Sequence, residues 1–464
     1  MRFFVLTLGC DKNTVDSERI AADLVGHGGE LTSDPEGAEV LIVNTCGFID
    51  AAKEESIDTL LEAAHLKASG SLNALVAVGC LVERHREELS RSLPEVDLFL
   101  GTRDLPQLVP QLLMRGLLDA RERRHPGGRL PVSGERHISY LKVSEGCDHK
   151  CSFCAIPLWR GRHRSFEPDA LIAEARALEA RGVVELNLVA QDLAHYGRDM
   201  PDRIGLHSLI ERVLEETDIP WLRLLYIYSA GLRPSLVELM AREERLLSYI
   251  DMPIQHASAR MLRLMRRPER PDRLRQKIAW LRSEIPDLAL RTTVVVGFPG
   301  ETEEDFEELL DFIGEVEFDH LGAFAYSPQP GTPGAAMSDP VPESLKMERL
   351  VAVNELQRSV VAARLSERVG EEVQVIVDRL EDGNGHGDAR IDARTRHQAH
   401  GIDGVTYLSA AGLDLAPGDL ARVRVTGSDD ADLWASAIER DSAARPARAY
   451  SGRVPLDLQT AWGR

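Results

Sequence analysis

The chain has 464 residues, of which 43% are apolar and 28% charged, and its formal net charge is -20. This composition is typical of a globular protein of about three domains, and it excludes a helical membrane protein because no apolar run approaches roughly 20 residues. The negative charge argues against simple attraction to nucleic-acid phosphates and suits a basic partner better.

Helical segments follow each of four apolar runs near the start of the chain, FFVLTL, EVLIVN, ALVAVG and DLFLG. Asp11 and Lys12 come directly after the first run, which indicates a strand and not a secretion signal. The alternation of strand and helix predicts a parallel sheet. We predict an N-terminal α/β domain over residues 1–116, followed by a charged, aperiodic linker over residues 117–137.

Six further β-type runs alternate with helical segments, in the order YLKVS, VELNLVA, LRLLYIY, SYIDMPI, LRTTVVVG and HLGAFAY. They predict a second parallel sheet, a partial (β/α)6 barrel over residues 138–365, so the fold class is α/β. After a long helical segment, EEVQVIVDRL, VTYLSA and ARVRVTGS predict a small antiparallel β-barrel over residues 366–440. Residues 441–464 lack periodicity and are predicted to be a flexible tail.

Three of the six cysteines, Cys147, Cys151 and Cys154, lie in EGCDHKCSFC, directly after a predicted strand. Parallel α/β sheets bind ligands at the carboxyl ends of their strands. Structural zinc takes four ligands, and His149 or His163 could supply the fourth. A cubane iron-sulfur cluster held by three thiolates leaves one iron open for another ligand, and the spacing favours this interpretation over zinc or inert thiols.

The other three cysteines, Cys10, Cys46 and Cys80, each come one to three residues after an apolar run. Parallel strands bring such positions to one sheet edge, so we predict that these thiols converge and hold a second cluster. They could instead be inert, because buried cysteines commonly behave as small hydrophobes. So few cysteines are typical of a cytoplasmic protein and favour metal or redox use over disulfides.

The spacing C-x-x-x-C-x-x-C, with the aromatic Phe153 before the last cysteine, resembles the radical S-adenosylmethionine superfamily. The resemblance implies a 4Fe-4S cluster whose open iron binds S-adenosylmethionine. Reductive cleavage of that cofactor then produces a 5'-deoxyadenosyl radical. Such a reduction needs a potential near the low end of the range of thiolate-ligated clusters.

Further polar residues and glycines at strand ends are weaker candidates for cofactor contacts. In TTVVVGFPGET the glycines permit a sharp turn from strand to helix, although a capping box at Thr302 and Asp305 would make this turn purely structural. Polar residues at two other strand ends could touch cofactor or substrate, or belong to ordinary hydrogen-bond networks. The candidates are Gln191, Asp192, Gln255, His256, Gly297, Gly300 and Glu301.

Two three-cysteine sets in one chain resemble the methylthiotransferases, a radical family with an N-terminal cluster domain, a radical core and a C-terminal TRAM barrel. The resemblance covers nearly the whole chain and includes GCDKNTVDSE, VNTCGFIDAAKEES, EGCDHKCSFCAIPLWRGRHRS, GFPGET and YSPQPGTPGA. It implies two 4Fe-4S clusters and S-adenosyl-L-methionine, which acts as methyl donor and as radical source. It also implies that the clusters carry the chemistry, without an acid or base side chain.

Within this family, NTCGFID and CSFCAIPLWRG resemble the RimO type, which adds a methylthio group to the β-carbon of an aspartate in small-subunit ribosomal protein twelve. Asp11 departs from the proline that commonly follows this cysteine, which puts the rigidity of the loop in doubt but not the ligand. One alternative is the MiaB type, which modifies an adenosine in tRNA. Another is a non-catalytic iron-sulfur electron-transfer protein, although such carriers normally ligate all four irons with protein groups.

The predicted small barrel is acidic, since residues 366–440 contain 15 Asp and Glu against 8 Arg and no Lys. It carries only two aromatic residues, Tyr407 and Trp434, whereas RNA modules stack bases on aromatics and pair phosphates with cations. We therefore expect docking to the ribosomal protein, free or on the ribosome, and not to tRNA. The family resemblance also implies a reductant such as flavodoxin or ferredoxin, and no membrane partner is expected.

Overall fold

The computed structural model describes residues 1–119, 128–132, 135–202, 204–381, 390–410 and 412–441. Most of the predicted tail lies outside these residues, as do parts of the predicted linker. Among the described helices, none has the length and apolarity that a membrane crossing requires. The domain limits themselves stay predictions.

The N-terminal part of the chain forms a five-stranded parallel sheet in the order β2-β1-β3-β4-β5, with an apolar cluster on each face. The four predicted strands are present, and the additional β2 is too short for periodicity to detect. The elements are β1 (Arg2–Thr7), α1 (Asp11–Gly26), β2 (Glu30–Leu31), β3 (Val40–Thr45), α2 (Asp50–Ala68), β4 (Ala74–Gly79), α3 (Cys80–Ser92), β5 (Leu98–Gly101) and α4 (Leu108–Met114).

The central part forms a six-stranded sheet in the order β13-β12-β11-β10-β9-β6, and all its pairings are parallel. It is open between β6 and β13, as predicted for a partial barrel. The elements are β6 (Ile138–Lys142), β7 (Ser144–Glu145), α5 (Ile156–Trp159), β8 (Arg164–Ser165), α6 (Pro168–Ala180), β9 (Glu185–Val189), α7 (Leu206–Glu216), β10 (Trp221–Leu224), α8 (Pro234–Arg242), β11 (Leu246–Asp251), α9 (Ala259–Leu264), α10 (Pro271–Glu284), β12 (Ala289–Val296), α11 (Glu303–Val316) and β13 (His320–Ala325).

The C-terminal part is a closed five-stranded barrel in the order β14-β15-β16-β18-β17. Sequence patterns missed β15 and β18, whose apolar residues are interrupted by charged and small ones. The barrel is not wholly antiparallel as predicted, because β16 pairs with β18 in parallel. The elements are α12 (Glu343–Glu367), β14 (Glu372–Glu381), β15 (Arg390–Thr395), β16 (Thr406–Ser409), β17 (Leu420–Ser428) and β18 (Leu433–Arg440).

The small barrel covers the amino-terminal ends of the central strands. Ile376 and Leu420 of the barrel share a buried apolar cluster with Trp221, the first residue of β10. The guanidinium of Arg394 in β15 donates to the carboxylate of Glu185, the first residue of β9, at 2.6 Å. Since the barrel occupies this end, the opposite end of the sheet is left for the cysteines.

Part of the predicted linker is buried between the two sheets. The side chain of Arg129 donates to Glu18 of α1 at 2.7 Å and to Glu174 of α6 at 2.9 Å. Buried charges of this kind are stable only when they are paired. The charge of Arg129, within the predicted linker, therefore serves to join the two domains.

Candidate metal centres

The loop after β7 carries the first three-cysteine set, which we call the loop centre: Cys147, Cys151 and Cys154. The N–H of Cys147 donates to the carbonyl of Gly161 at 3.1 Å, which closes the loop on itself. Sγ of Cys151 lies 3.0 Å from the phenolic oxygen of Tyr228, which follows β10. The loop centre therefore lies at the carboxyl ends of the central strands, where the sequence places it.

The thiols of the loop centre are close enough to influence one another. Burial raises the pKa of Cys154 to about 12, and the charges of Cys151 and Cys147 add to this effect. Burial likewise raises the pKa of Cys147 to about 11. Without a metal, Cys147 and Cys154 are therefore neutral near pH 7, and they become thiolates there only when a cation shares their charge.

The second set, the N-terminal centre, is assembled from three strand ends. Cys10 precedes α1, Cys46 follows β3, and Cys80 begins α3 after β4. Gly9 has a φ of 87°, and a Cβ at this position would lie 2.6 Å from Cβ of Cys46. This close approach brings two of the three strand ends together, in agreement with the convergence that the sequence predicts.

Arg160 of the central domain reaches the N-terminal centre. Burial raises the pKa of Cys80 to about 12, and a hydrogen bond and positive charge from Arg160 oppose that rise. Burial disfavours the charge of Arg160 too, yet Cys80 and Glu145 hold its pKa well above the usual value. Because Arg160 follows Cys154 by six residues, the segment that carries one cysteine set supplies the cation that faces the other.

A buried ionic network holds Arg160 and joins α1 to β6. The guanidinium of Arg160 donates to Asn13 at 2.7 Å and to Glu145 at 2.9 Å. Lys142 in β6 donates to Asp16 of α1, and to Glu145 at 2.8 Å. Burial opposes the ionisation of Glu145, but Lys142 and Arg160 lower its pKa to about 2. The network therefore fixes the start of α1 against the loop centre.

Both cysteine sets approach the segment that follows β10. Nζ of Lys12 lies 3.3 Å from the ring centroid of Tyr226, and burial together with neighbouring charges, Cys10 among them, raises the pKa of Tyr226. Tyr228, two residues further on, contacts Cys151. Two residues span at most about 7 Å of extended chain. The two centres therefore lie beside the same segment at the end of β10, and we call the region between them the common space.

The two histidines considered as zinc ligands have other partners. His149 lies 2.8 Å from Asp192, and its ring stacks on Tyr228 at a centroid distance of 3.9 Å. Burial opposes the ionisation of Asp192, but the hydrogen bond from His149 helps to lower its pKa. His163 lies 3.1 Å from the hydroxyl of Ser165. These contacts do not support a site of three cysteines and one histidine.

The other candidates at strand ends lie at the same end of the central sheet as the loop centre. Gln191 donates to Glu145 at 3.0 Å, beside the Arg160 network. Gln255 has a φ of 70°, a strained conformation for a side chain larger than glycine. His256 is fully buried, and its Nδ1 accepts the N–H of Ser258 at 2.9 Å. Contact with a cofactor stays a prediction for these residues and for Asp192.

The turn after β12 is held by its own side chains. The carboxylate of Glu301 accepts the N–H groups of Gly297 at 2.7 Å and of Phe298 at 3.3 Å. Thr302 and Asp305 form both reciprocal bonds of a capping box at the start of α11. The predicted capping box is therefore present, and a cofactor role for Gly297 and Glu301 stays a prediction.

Phe153 and Gly300 complete the set of candidates. Phe153 packs against a buried cluster that includes Met261 and Phe298. Gly300 has a φ of 81°, and its N–H donates to the carbonyl of Asp339 at 2.9 Å. Phe153 thus anchors the cysteine loop on the central domain, and its predicted contact with the cofactor, like that of Gly300, stays a prediction.

The two donor sets fit iron-sulfur clusters. All six cysteines are free thiols, and each set offers three of them. Thiolate sulfur is the preferred ligand of such clusters, and three thiolates leave the fourth iron open. Glycines with positive φ stand directly before Cys10, Cys80 and Cys147, and at Gly9 a Cβ would lie 2.8 Å from Sγ of Cys46. Cys10, Cys46 and Cys80 would hold one cluster, and the loop centre would hold the other.

Sequence patterns missed the residues that connect the two centres. Arg160 is part of the string CAIPLWRG, and Lys12 is part of GCDKN, but charge at a loop position is normally solvated. Tyr226 and Tyr228 end the run LRLLYIY, and their alternation placed them on one face of a strand. The pairing of a cation in one domain with a group in the other has no signal in a single sequence.

Family models match three parts of the chain. Residues 2–101 match the uncharacterized protein family UPF0004, residues 141–313 match the radical SAM superfamily, and residues 369–438 match the TRAM domain. Among solved structures, the radical S-adenosylmethionine methyltransferase TsrM from Kitasatospora setae superposes with a TM-score of 0.52 at 13% identity, covering 72% of this chain and 74% of that one. This likeness concerns the fold alone.

Relatives match over almost the full length. The chain is 43% identical over 463 residues to the ribosomal protein uS12 methylthiotransferase RimO of Anaeromyxobacter sp. (strain Fw109-5), covering 97% of this chain and 96% of the relative. It is 45% identical over 445 residues to the protein of the same name from Desulforudis audaxviator (strain MP104C), covering 94% and 97%. The chain therefore belongs to the ribosomal protein uS12 methylthiotransferase RimO family, and it carries a radical S-adenosylmethionine domain.

Proposed function

We propose that this protein adds a methylthio group to the β-carbon of an aspartate in ribosomal protein uS12. The proposal rests on the family and on one structural observation, the common space between the two cysteine sets at the end of β10. When bound, two 4Fe-4S clusters and S-adenosylmethionine would supply the methylthio group and a carbon-centred radical. An unactivated β-carbon requires a radical because it is not acidic enough for a side-chain base.

The chain's own residues hold and orient these groups. The Arg160 network keeps α1, and with it Cys10, against the strand that leads into the loop centre. Such fixed geometry matters because a radical reaction between two centres depends on the distance between the reacting atoms. The small barrel packs on the opposite end of the central sheet, which leaves the carboxyl ends of the strands for the substrate.

The charge of the barrel supports a protein substrate over tRNA. Seven of the eight arginines between residues 366 and 440 form ion pairs with carboxylates, and the eighth, Arg396, donates to the carbonyl of Glu244. Few guanidinium groups are thus left to neutralise phosphates, which RNA binding requires. The excess carboxylates suit a basic ribosomal protein, free or on the ribosome.

Two further parts of the proposal come from the family and the composition. A low-potential donor such as flavodoxin or ferredoxin would deliver electrons to the loop centre. The cytoplasmic location indicated by the few, unpaired cysteines stays a prediction. A pure electron-transfer role is less well supported, because neither set provides a fourth thiol among the described residues.

Mass spectrometry of uS12 and of tRNA from a strain lacking the gene tests the proposal. We expect uS12 to lose the mass of one methylthio group, and the tRNA nucleosides to keep their methylthio modifications. Restoring the gene should restore the mass of uS12. The opposite pattern, with unchanged uS12 and altered tRNA, would assign the protein to the MiaB type instead.

A further inference from the structure

Lys12 is a buried cation with unused hydrogen-bonding capacity at the common space between the two centres. The residue is 8% exposed, and its ammonium lies over the ring of Tyr226. In the part of the chain that the structure describes, its one hydrogen-bond acceptor is Asp11, at the long distance of 3.3 Å. An ammonium carries three donors, so two remain available.

The groups around Lys12 compensate its burial only in part. Asp11 is shared, because the hydroxyl of Tyr226 also donates to it at 3.4 Å, and its second oxygen is buried without a partner among the described residues. The cation that acts on the thiols of Cys46 and Cys80 is Arg160. Asp11 is the counterion of this ammonium, at 3.3 Å, and two of the ammonium's three donors remain for an anion from outside the chain.

We propose that Lys12 binds the carboxylate of the target aspartate, an inference that rests on the proposed function. The carboxylate carbon of an aspartate is one bond from its β-carbon. A cation that holds this carboxylate therefore fixes the reacting carbon beside Tyr226, two residues before Tyr228, whose phenolic oxygen contacts Cys151. The free oxygen of Asp11 can accept a backbone N–H of the same peptide.

This assignment makes Lys12 a determinant of substrate class. A charge-assisted hydrogen bond in a buried site is worth about 1.5–3 kcal/mol, or roughly 10- to 100-fold in affinity. An asparagine at the target position keeps the shape of the side chain but loses the negative charge. Discrimination between aspartate and asparagine should therefore depend on the ammonium.

Equilibrium binding of uS12 to the reconstituted protein tests the inference without relying on turnover. The probes are recombinant uS12 and its variant with the target aspartate replaced by asparagine, the target being identified by mass spectrometry. For the unaltered enzyme we expect Kd for the asparagine variant to be at least about tenfold higher. In Lys12→Met the two Kd values should differ by less than about twofold. Lys12→Arg should keep most of the difference between them.

Lys67→Met is the matched control, because Lys67 belongs to the same domain but pairs with Asp97 on the other side of the sheet. It should keep the full discrimination. Iron content and cleavage of S-adenosylmethionine verify that Lys12→Met is folded and loaded. If Lys12→Met still discriminates fully, or loses cleavage but not discrimination, the assignment of Lys12 is wrong. If the unaltered enzyme does not bind uS12, the proposed function fails and the inference falls with it.

Discussion

The two cysteine centres offer the same three thiols but are built in different ways. The loop centre is encoded within ten residues, and its backbone is closed by local hydrogen bonds. The N-terminal centre draws one cysteine from each of three strand ends spread over 71 residues, from Cys10 to Cys80. It also borrows a cation, Arg160, from the neighbouring domain.

This difference predicts how each centre responds to damage. A locally encoded site depends mainly on its own residues, whereas a site assembled from strand ends depends on the packing of the whole sheet and on the domain interface. We therefore expect the N-terminal centre to be more sensitive to distant substitutions. The following experiments compare the two, beginning with the largest expected effect.

Removing one ligand from each centre should separate their roles. Cys151→Ala should abolish the cleavage of S-adenosylmethionine to 5'-deoxyadenosine, because the loop centre would lose a cluster ligand. Cys46→Ala should keep this cleavage but stop methylthio transfer to uS12. Chromatography of the nucleoside products and mass spectrometry of uS12 measure the two reactions. Equal loss of cleavage in both variants would contradict the division of labour.

Alkylation of the metal-free protein compares the thiols directly. The thiolate is the reactive form, and burial raises the pKa of Cys80 to about 12 and of Cys147 to about 11. At pH 8, Cys80 should react with iodoacetamide on the order of 1,000-fold more slowly than in the unfolded chain, and about tenfold more slowly than Cys147. A raised pKa means fewer thiolates, so both rates should increase about tenfold per pH unit up to about pH 10. Peptide mapping measures each rate, and equal rates for folded and unfolded chains would show that the thiols are not buried.

Arg160→Gln should weaken the N-terminal centre and the domain interface together. It leaves the buried carboxylates of Asp16 and Glu145 with one cation fewer, a loss of about 3 kcal/mol of stability. Iron binding should decrease more at the N-terminal centre than at the loop centre. The iron content of variants that keep only one of the two cysteine sets measures each centre separately. Arg162→Gln is the control: its side chain is 92% exposed and should change the free energy of unfolding by less than about 0.5 kcal/mol.

Gly9→Ala tests the packing of the N-terminal centre with the smallest change. The added Cβ would lie 2.6 Å from Cβ of Cys46, so this cysteine has to move. We expect about 2 kcal/mol of destabilisation and reduced iron at the N-terminal centre alone. Gly70→Ala is a close control, since Gly70 also has a positive φ but nothing lies within 4 Å of its added Cβ. Denaturant titration of both variants separates the effect of the clash from the effect of backbone strain. An equal loss of unfolding free energy in both would show that the close approach to Cys46 does not destabilise the protein.

Much of the molecule could be predicted from local patterns. The apolar runs indicated the two parallel sheets, and the spacing of Cys147, Cys151 and Cys154 indicated a cluster loop, because these signals lie within a few residues of one another. Patterns failed where the signal is short or interrupted. Examples are β2 with two residues, β15 with its alternating charges, and the parallel pairing of β16 with β18.

By itself, the sequence determined most of the helices and strands, the three-part organisation and which cysteines are candidate ligands, because periodicity and spacing are properties of neighbouring residues. Only the tertiary structure decided which charged residues are buried between domains. Lys12, Lys142 and Arg160 look like ordinary surface cations in the chain. Their burial follows from contacts between residues more than 100 positions apart, and the desolvation of a charge becomes tolerable only when the fold supplies its partner.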